Sequence, residues 1–185
     1  KSMEYFKSLT QSGLIELIHS TKKALYLCVP SVHEEIAGAI SYLDYSHSQD
    51  EQEVEIHLLV DFDAQTFRQG YGDYRSVEDL IKGGFELNTL QNNRISFIIS
   101  DDIGFYLFIE SRSLIPADKE TINAIKIDPV SMVRLKKFFF STSENKDVEN
   151  ELTNAIIEES KQLENANNLL SNQIAPVTEV STKIV

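Results

Sequence analysis

Hydrophobic positions along the chain fall into short blocks with two alternating periods. In residues 4–23, "EYFKSLTQSGLIELIHSTKK", the positions Leu14, Ile15, Leu17 and Ile18 recur at helical spacing. Thr10 or Ser12 can cap that helix with a side-chain oxygen. The apolar run "ALYLCVP" follows and stops at Pro30, which reads as a strand. Ser31 then stands where a cap for "VHEEIAGAISYLDY" is expected, with Glu34 completing a capping box. Ile36, Ala39, Ile40 and Leu43 form that helix's buried stripe. After the polar loop "SHSQDEQE", the block "VEIHLLVDFD" has a continuous apolar centre, the mark of a strand covered on both faces. His57 sits in its middle and is expected as a hydrogen-bonded core imidazole.

The segment "AQTFRQGYGDYRS" reads as a loop, and "VEDLIKGG" as a short helix closed by glycines. "FELNTL" reads as a further strand. "RISFIIS" and "GFYLFIES" flank Asp101, Asp102 and Ile103, which is the pattern of a hairpin with an acidic turn. "LIPADKETINAIKID" is irregular, with room for a short edge strand. "PVSMVRLKKFFF" begins with proline at a helix's first turn and is expected to bury Val133 and Phe138 to Phe140. Strands and helices that alternate in this way predict an α/β domain, a mixed β-sheet flanked by helices, over residues 1–140.

Beyond Phe140 the composition turns polar and rich in Asn and Glu. Ile156, Leu163 and Leu170 recur every seven residues, with Leu152, Glu159, Ala166 and Gln173 at the companion positions. This predicts a long C-terminal helix over residues 141–175, with a broken coiled-coil seam suited to linking or dimerising. Pro176 ends it, and residues 176–185 read as a tail or the start of a further segment. The chain begins at Lys1 and reads as part of a longer protein.

Charge and cysteine content narrow the functional classes. The chain has 185 residues, 42% of them hydrophobic and 25% charged, and its formal net charge is −12. A strongly acidic chain argues against general affinity for nucleic acid phosphates, which needs a basic surface. No run approaches the ~20 apolar residues that span a bilayer, so no membrane partner is expected. The single cysteine, Cys28, lies in an apolar run and excludes both an internal disulfide and a cysteine zinc site. It is expected in the core of a cytoplasmic protein. His19, His33, His47 and His57 lack metal-ligand spacing. No metal and no cofactor is expected.

In order and pattern, residues 10–140 resemble one half of the phospholipase D-like fold. "LIELIHSTKKALYLCVPSVHEEIAGAI" resembles that family's opening, "VEIHLLVDFD" its second strand and "RISFIISDD" its catalytic strand. The resemblance implies a His-x-Lys-x4-Asp signature followed by a Gly/Ser and Asn motif. With Asp101 as the signature aspartate, Arg94 stands at the histidine position and Ser96 at the lysine position. The later motif falls on "FIES", which does not match. Arg94 stays protonated, so it cannot be a nucleophile or move a proton. Ser96 has no histidine in its own run to activate it. The resemblance therefore implies the fold without the family's reaction.

The candidate binding residues are Asp61 and Asp63, Arg94, and the loop residues Arg68, Tyr71, Tyr74 and Arg75. Asp61 and Asp63 end an apolar strand, where ligands bind in open α/β sheets, and alternate strand positions share a side. Arg94 could hold a phosphate or carboxylate in two-point fashion. Arg and Tyr anchor interfaces, and loops on a rigid scaffold carry recognition. The reading is a non-catalytic interaction or regulatory domain whose partner is another protein or a second copy as a homodimer. The alternatives are a nuclease or phosphodiesterase half whose active half lies elsewhere, and a small-ligand sensor.

Overall fold

Strand β2 (Ala24–Val29) is buried on both sides. Leu25, Leu27 and Val29 belong to one apolar cluster and Cys28 to another. A strand with that burial needs a layer on each face, and the computed structural model supplies both. The structure describes residues 5–49, 53–91, 93–111, 122–140 and 161.

Among the described residues seven strands form one sheet, in the order β1-β7-β6-β5-β2-β3-β4. β2, β3 (Glu55–Val60) and β4 (Leu87–Thr89) run parallel. β5 (Phe97–Ser100) runs antiparallel to β2 and opens a meander of β6 (Ile103–Leu107), β7 (Ala124–Lys126) and β1 (Phe6–Lys7). This is the mixed sheet that the alternating pattern predicts. Helices α1 (Gln11–His19), α2 (Glu34–Gln49) and α4 (Tyr74–Lys82) cover one face. Ile18, Ile40, Leu43, Val77 and Leu80 seal that side. Helix α5 (Pro129–Phe140) covers the other face with Met132 over Cys28, Leu59, Phe97 and Ile99. Gly104 on β6 makes room for it, since a Cβ there would lie 2.7 Å from the Met132 sulfur.

Local capping accounts for several boundaries. Thr10, one of the two caps expected, accepts the Gly13 N–H and starts α1 at Gln11. Phe6–Lys7 form an edge strand against β7, a partner that no local pattern reveals. Asp63 caps the short helix α3 (Ala64–Arg68), which lies inside the segment expected as a loop. Asp73 caps α4 through the Ser76 N–H, so Tyr74 and Arg75 are helical. Gly83 and Gly84 close that helix, Gly84 with a φ of +92° that glycine adopts without strain.

The hairpin turn is tied down by Asp101, whose φ is +54°. Its carboxylate accepts the backbone N–H groups of Lys22, Lys23 and Ala24 at 2.9, 2.8 and 3.0 Å. Partial burial pushes this carboxyl up. The three donors and the Lys23 charge outweigh that and hold it below the ordinary value.

Three expectations need correction. Ser31 does not cap α2: the helix starts three residues later, and Ser31 Oγ is buried with no hydrogen-bond partner among the described residues. Phe138 is 80% exposed, whereas Phe139 and Phe140 pack against the Cys28 side of the sheet. His57 is half-exposed and stacks on Tyr26 at 4.4 Å, with Glu55 3.4 Å from its Nε2. The other strands, helices and the hairpin stand close to where the pattern put them. The long helix expected at 141–175 lies outside the described residues apart from helical Lys161.

Candidate functional site

The C-terminal ends of β2, β3 and β6 and the N-terminal end of β5 meet at one edge of the sheet, as the registers require. The ladder continues slightly past the strands there. The Asp61 N–H donates to the Pro30 carbonyl, and the Leu107 N–H to the Ser96 carbonyl. Residues 30–33, 61–63, 93–96 and 108–111 therefore gather above the sheet. Asp101 lies at the opposite end, beside the start of β2.

A cavity of about 270 Å³ opens at this edge. Its floor is hydrocarbon from Leu27, Val29 and Leu107, and Leu14 and Ile36 wall it. Polar groups arrive from separate parts of the chain. Thr10 and Gln11 come from the first turn of α1, Ser31 and His33 from before α2, and Tyr71 from between α3 and α4. Glu110 and Asn123 complete the rim. Asn123 also fixes the approach to α1: its Oδ1 accepts the Leu9 N–H, and its Nδ2 donates to the Leu9 carbonyl.

The loop carrying Tyr71 is held by close backbone approach. The Asp73 N–H donates to the Val32 carbonyl at 3.1 Å. A Cβ on Gly72 would fall 2.5 Å from both Ser31 Oγ and the Val32 oxygen. Glycine at 72 is thus a contact requirement. His33 Nδ1 lies 3.9 Å from an Asp73 carboxylate oxygen across the same seam.

Beside the cavity stands an ion pair between two predicted residues. Arg94 Nη1 donates to Asp61 Oδ2 at 2.8 Å, and Thr66 Oγ1 donates to the same oxygen at 3.1 Å. Asp61 is 1% exposed and Arg94 45%. Arg94 Nη1 also donates to the Asn93 carbonyl. The guanidinium carbon lies 5.9 Å from the centre of the Tyr71 ring, so cation, ring and cavity are contiguous. Asp61 Oδ1 has no partner among the described residues.

The structure brings Asp61, Arg94 and Tyr71 together and separates the rest. Asp63 is exposed and serves as a helix cap, so the two strand-end carboxylates do not face one cation. Tyr74 packs with Phe62 and Phe67 at 5.3 and 6.0 Å, in an aromatic cluster on the surface. Arg68 and Arg75 are exposed on α3 and α4. Sequence reasoning missed Thr10, Gln11, Ser31, His33 and Asn123 as cavity residues. Only strand order places them there.

Among the described residues no group of three His, Cys, Asp or Glu side chains is placed to hold a metal ion. Burial pushes the Cys28 thiol up to about 11, against a smaller downward effect of the Asn93 hydrogen bond. No described helix is long and apolar enough to cross a membrane.

No family model and no curated protein matches the chain in sequence. Solved structures similar in fold include Nuc of Salmonella typhimurium, a phospholipase D family member, at 16% identity and a TM-score of 0.45. That match covers 67% of this chain and 80% of the other. A second is phosphatidylserine synthase of Haemophilus influenzae Rd KW20, at 13% identity and a TM-score of 0.48, covering 82% of this chain and 42% of that one. A third is TrmBL2, an archaeal chromatin protein whose structure shows a novel mode of DNA binding. Its match has 15% identity and a TM-score of 0.41, and covers 71% of this chain and 47% of that one. The chain thus spans less than half the length of the last two. These likenesses concern the fold alone, and the first belongs to the family that the sequence pattern resembles.

Proposed function

We propose that the chain is a regulatory domain that recognises a small molecule in the strand-end cavity and catalyses no reaction. The observation that carries this reading is the cavity itself, closed by residues from well-separated parts of the chain beside the Asp61–Arg94 pair. Pockets of this kind, apolar with a few convergent polar groups, are the usual form of a ligand site. Against catalysis, the position where the resemblance puts a histidine nucleophile holds a guanidinium bound to a carboxylate. Among the described residues no base is hydrogen-bonded to Ser31 Oγ, and the Cys28 thiol is buried and held protonated.

A thermal-shift screen of small metabolites against the full chain tests recognition. At least one compound should raise the melting temperature, and Val29→Trp, which fills the cavity, should abolish the shift. Hydrolysis of bis(p-nitrophenyl) phosphate tests the alternative phosphodiesterase reading. Turnover lost on Arg94→Ala would overturn the proposal.

Self-association is a second reading, favoured by Phe138 at 80% and Ile122 at 70% exposure. Such side chains gain on burial between copies. Light scattering that returns only monomer mass at every concentration removes it. The net charge of −12 argues against nucleic acid as the partner.

A further inference from the structure

We infer that the ligand of the strand-end cavity is a small amphipathic anion, with a hydrocarbon body in the pocket and a carboxylate or phosphate held by Arg94. The inference rests on the proposal that this cavity binds a small molecule. It adds which chemistry the cavity selects.

The cavity's size sets the first limit. A volume of about 270 Å³ suits a small molecule and not a polymer segment. The floor of Leu27, Val29 and Leu107 offers nothing to a polar body. It favours a short hydrocarbon chain or ring.

Arg94 supplies the charge recognition, and three observations support that role. First, the Arg94 partner Asp61 donates its own N–H to the Pro30 carbonyl next to Ser31, and the Ser96 carbonyl accepts the N–H of Leu107, so Arg94 is held at the strand ends that line the cavity. Second, both bonds that Arg94 makes to described residues use Nη1. Asp61 and the Asn93 carbonyl anchor that nitrogen. The edge formed by Nε and Nη2 carries no bond to a described residue, in a side chain 45% exposed. A guanidinium pinned on one nitrogen presents its other edge in fixed geometry, which is the two-point donor that carboxylates and phosphates accept. Third, Tyr71 both lines the cavity and lies under the guanidinium, so an anion at that edge is continuous with the pocket.

Ser31 adds a polar contact beside that floor. It is 5% exposed, lines the cavity, and its Oγ has no partner among the described residues. A buried hydroxyl without a partner is costly, and an oxygen of the ligand would relieve it.

Isothermal titration and amide chemical-shift mapping on the full chain test this with hexanoate, butyl phosphate and 1-hexanol. An anion should bind at least ~10-fold more tightly than hexanol, the scale of one charged hydrogen-bonded contact. Shifts should map to Val29, Tyr71 and Leu107. The better of the two anions tells carboxylate from phosphate, and either supports the inference. Arg94→Gln should remove the preference for the anion over hexanol. Because that variant orphans a buried carboxylate, Asp61→Asn/Arg94→Gln is measured beside it and should show the same loss. Equal affinity for hexanol and both anions, or a preference that survives in both variants, overturns the inference and leaves the cavity reading standing. Absence of binding and of mapped shifts with all three probes overturns both.

Discussion

Asp101 shows how one side chain can hold a supersecondary join. It takes the left-handed conformation that aspartate tolerates better than most residues, and it accepts three backbone N–H groups that end the α1–β2 connection. Asp101→Ala removes all three acceptor contacts and should cost about 2 kcal/mol in urea unfolding. The cost is pH-dependent. The folded carboxyl titrates below its ordinary value near 3.8, so its stabilisation is fully present above that value. It is lost as pH falls through the lowered folded value. The stability gap between wild type and Asp101→Asn should therefore be full at pH 6 and shrink on acidification to pH 3. A gap independent of pH would refute this account. Gly72 is a second residue-scale constraint. Gly72→Ala should destabilise by about 1–3 kcal/mol and weaken any ligand response, because the added carbon pushes Tyr71's loop off Ser31 and Val32. A variant as stable and responsive as wild type would show that the loop yields freely.

At the scale of elements, caps decide where helices start, and two of those starts face the cavity region. Thr10 sets α1 and Asp73 sets α4, each with a side-chain oxygen on a first-turn N–H. Asp73 also accepts the Ser76 hydroxyl and holds the loop to Val32 through its own N–H. Asp73→Ala and Thr10→Ala should each cost about 1 kcal/mol, the usual worth of an N-cap. They should differ in local dynamics. Hydrogen exchange at residues 69–76 should accelerate in Asp73→Ala and stay unchanged in Thr10→Ala. The same exchange profile in both would mean that the loop is held by its backbone contacts alone. The β5–β6 hairpin plays the complementary part. Its turn sits at the Asp101 end, and its free ends deliver Arg94 and Leu107 to the cavity end.

For the whole molecule, the central strand reports on the two layers together. Cys28 is fully buried between β3 and β5, under α5, and its thiol is held protonated to about pH 11. Reaction needs the thiolate and access to reagent. Iodoacetamide should not modify the native chain at pH 8 over hours. In rising urea its modification should follow the same midpoint as far-UV circular dichroism, because exposing Cys28 requires opening the sheet's α5 face. Modification well before the circular dichroism transition would show α5 leaving as a separate unit.

Much of this protein was legible in its sequence because the signals are local. Periodicity marked β2, β3, the hairpin and α5, and the cap at Thr10 needs only three residues. The residues at 94 and 96 speak against the chemistry implied by the phospholipase D-like resemblance, since an arginine cannot act as its histidine. Tertiary structure alone decided what depends on strand order. β1 finds β7 across most of the domain, and Asn123 grips Leu9 over a separation of 114 residues. Asp61 meets Arg94 because β3 runs parallel and β5 antiparallel to β2 between them, which brings the end of β3 and the start of β5 to one end of the sheet. A cavity has no sequence pattern of its own. It exists where separate segments converge, and that convergence is fixed by packing the two layers on the sheet, a property of the whole chain.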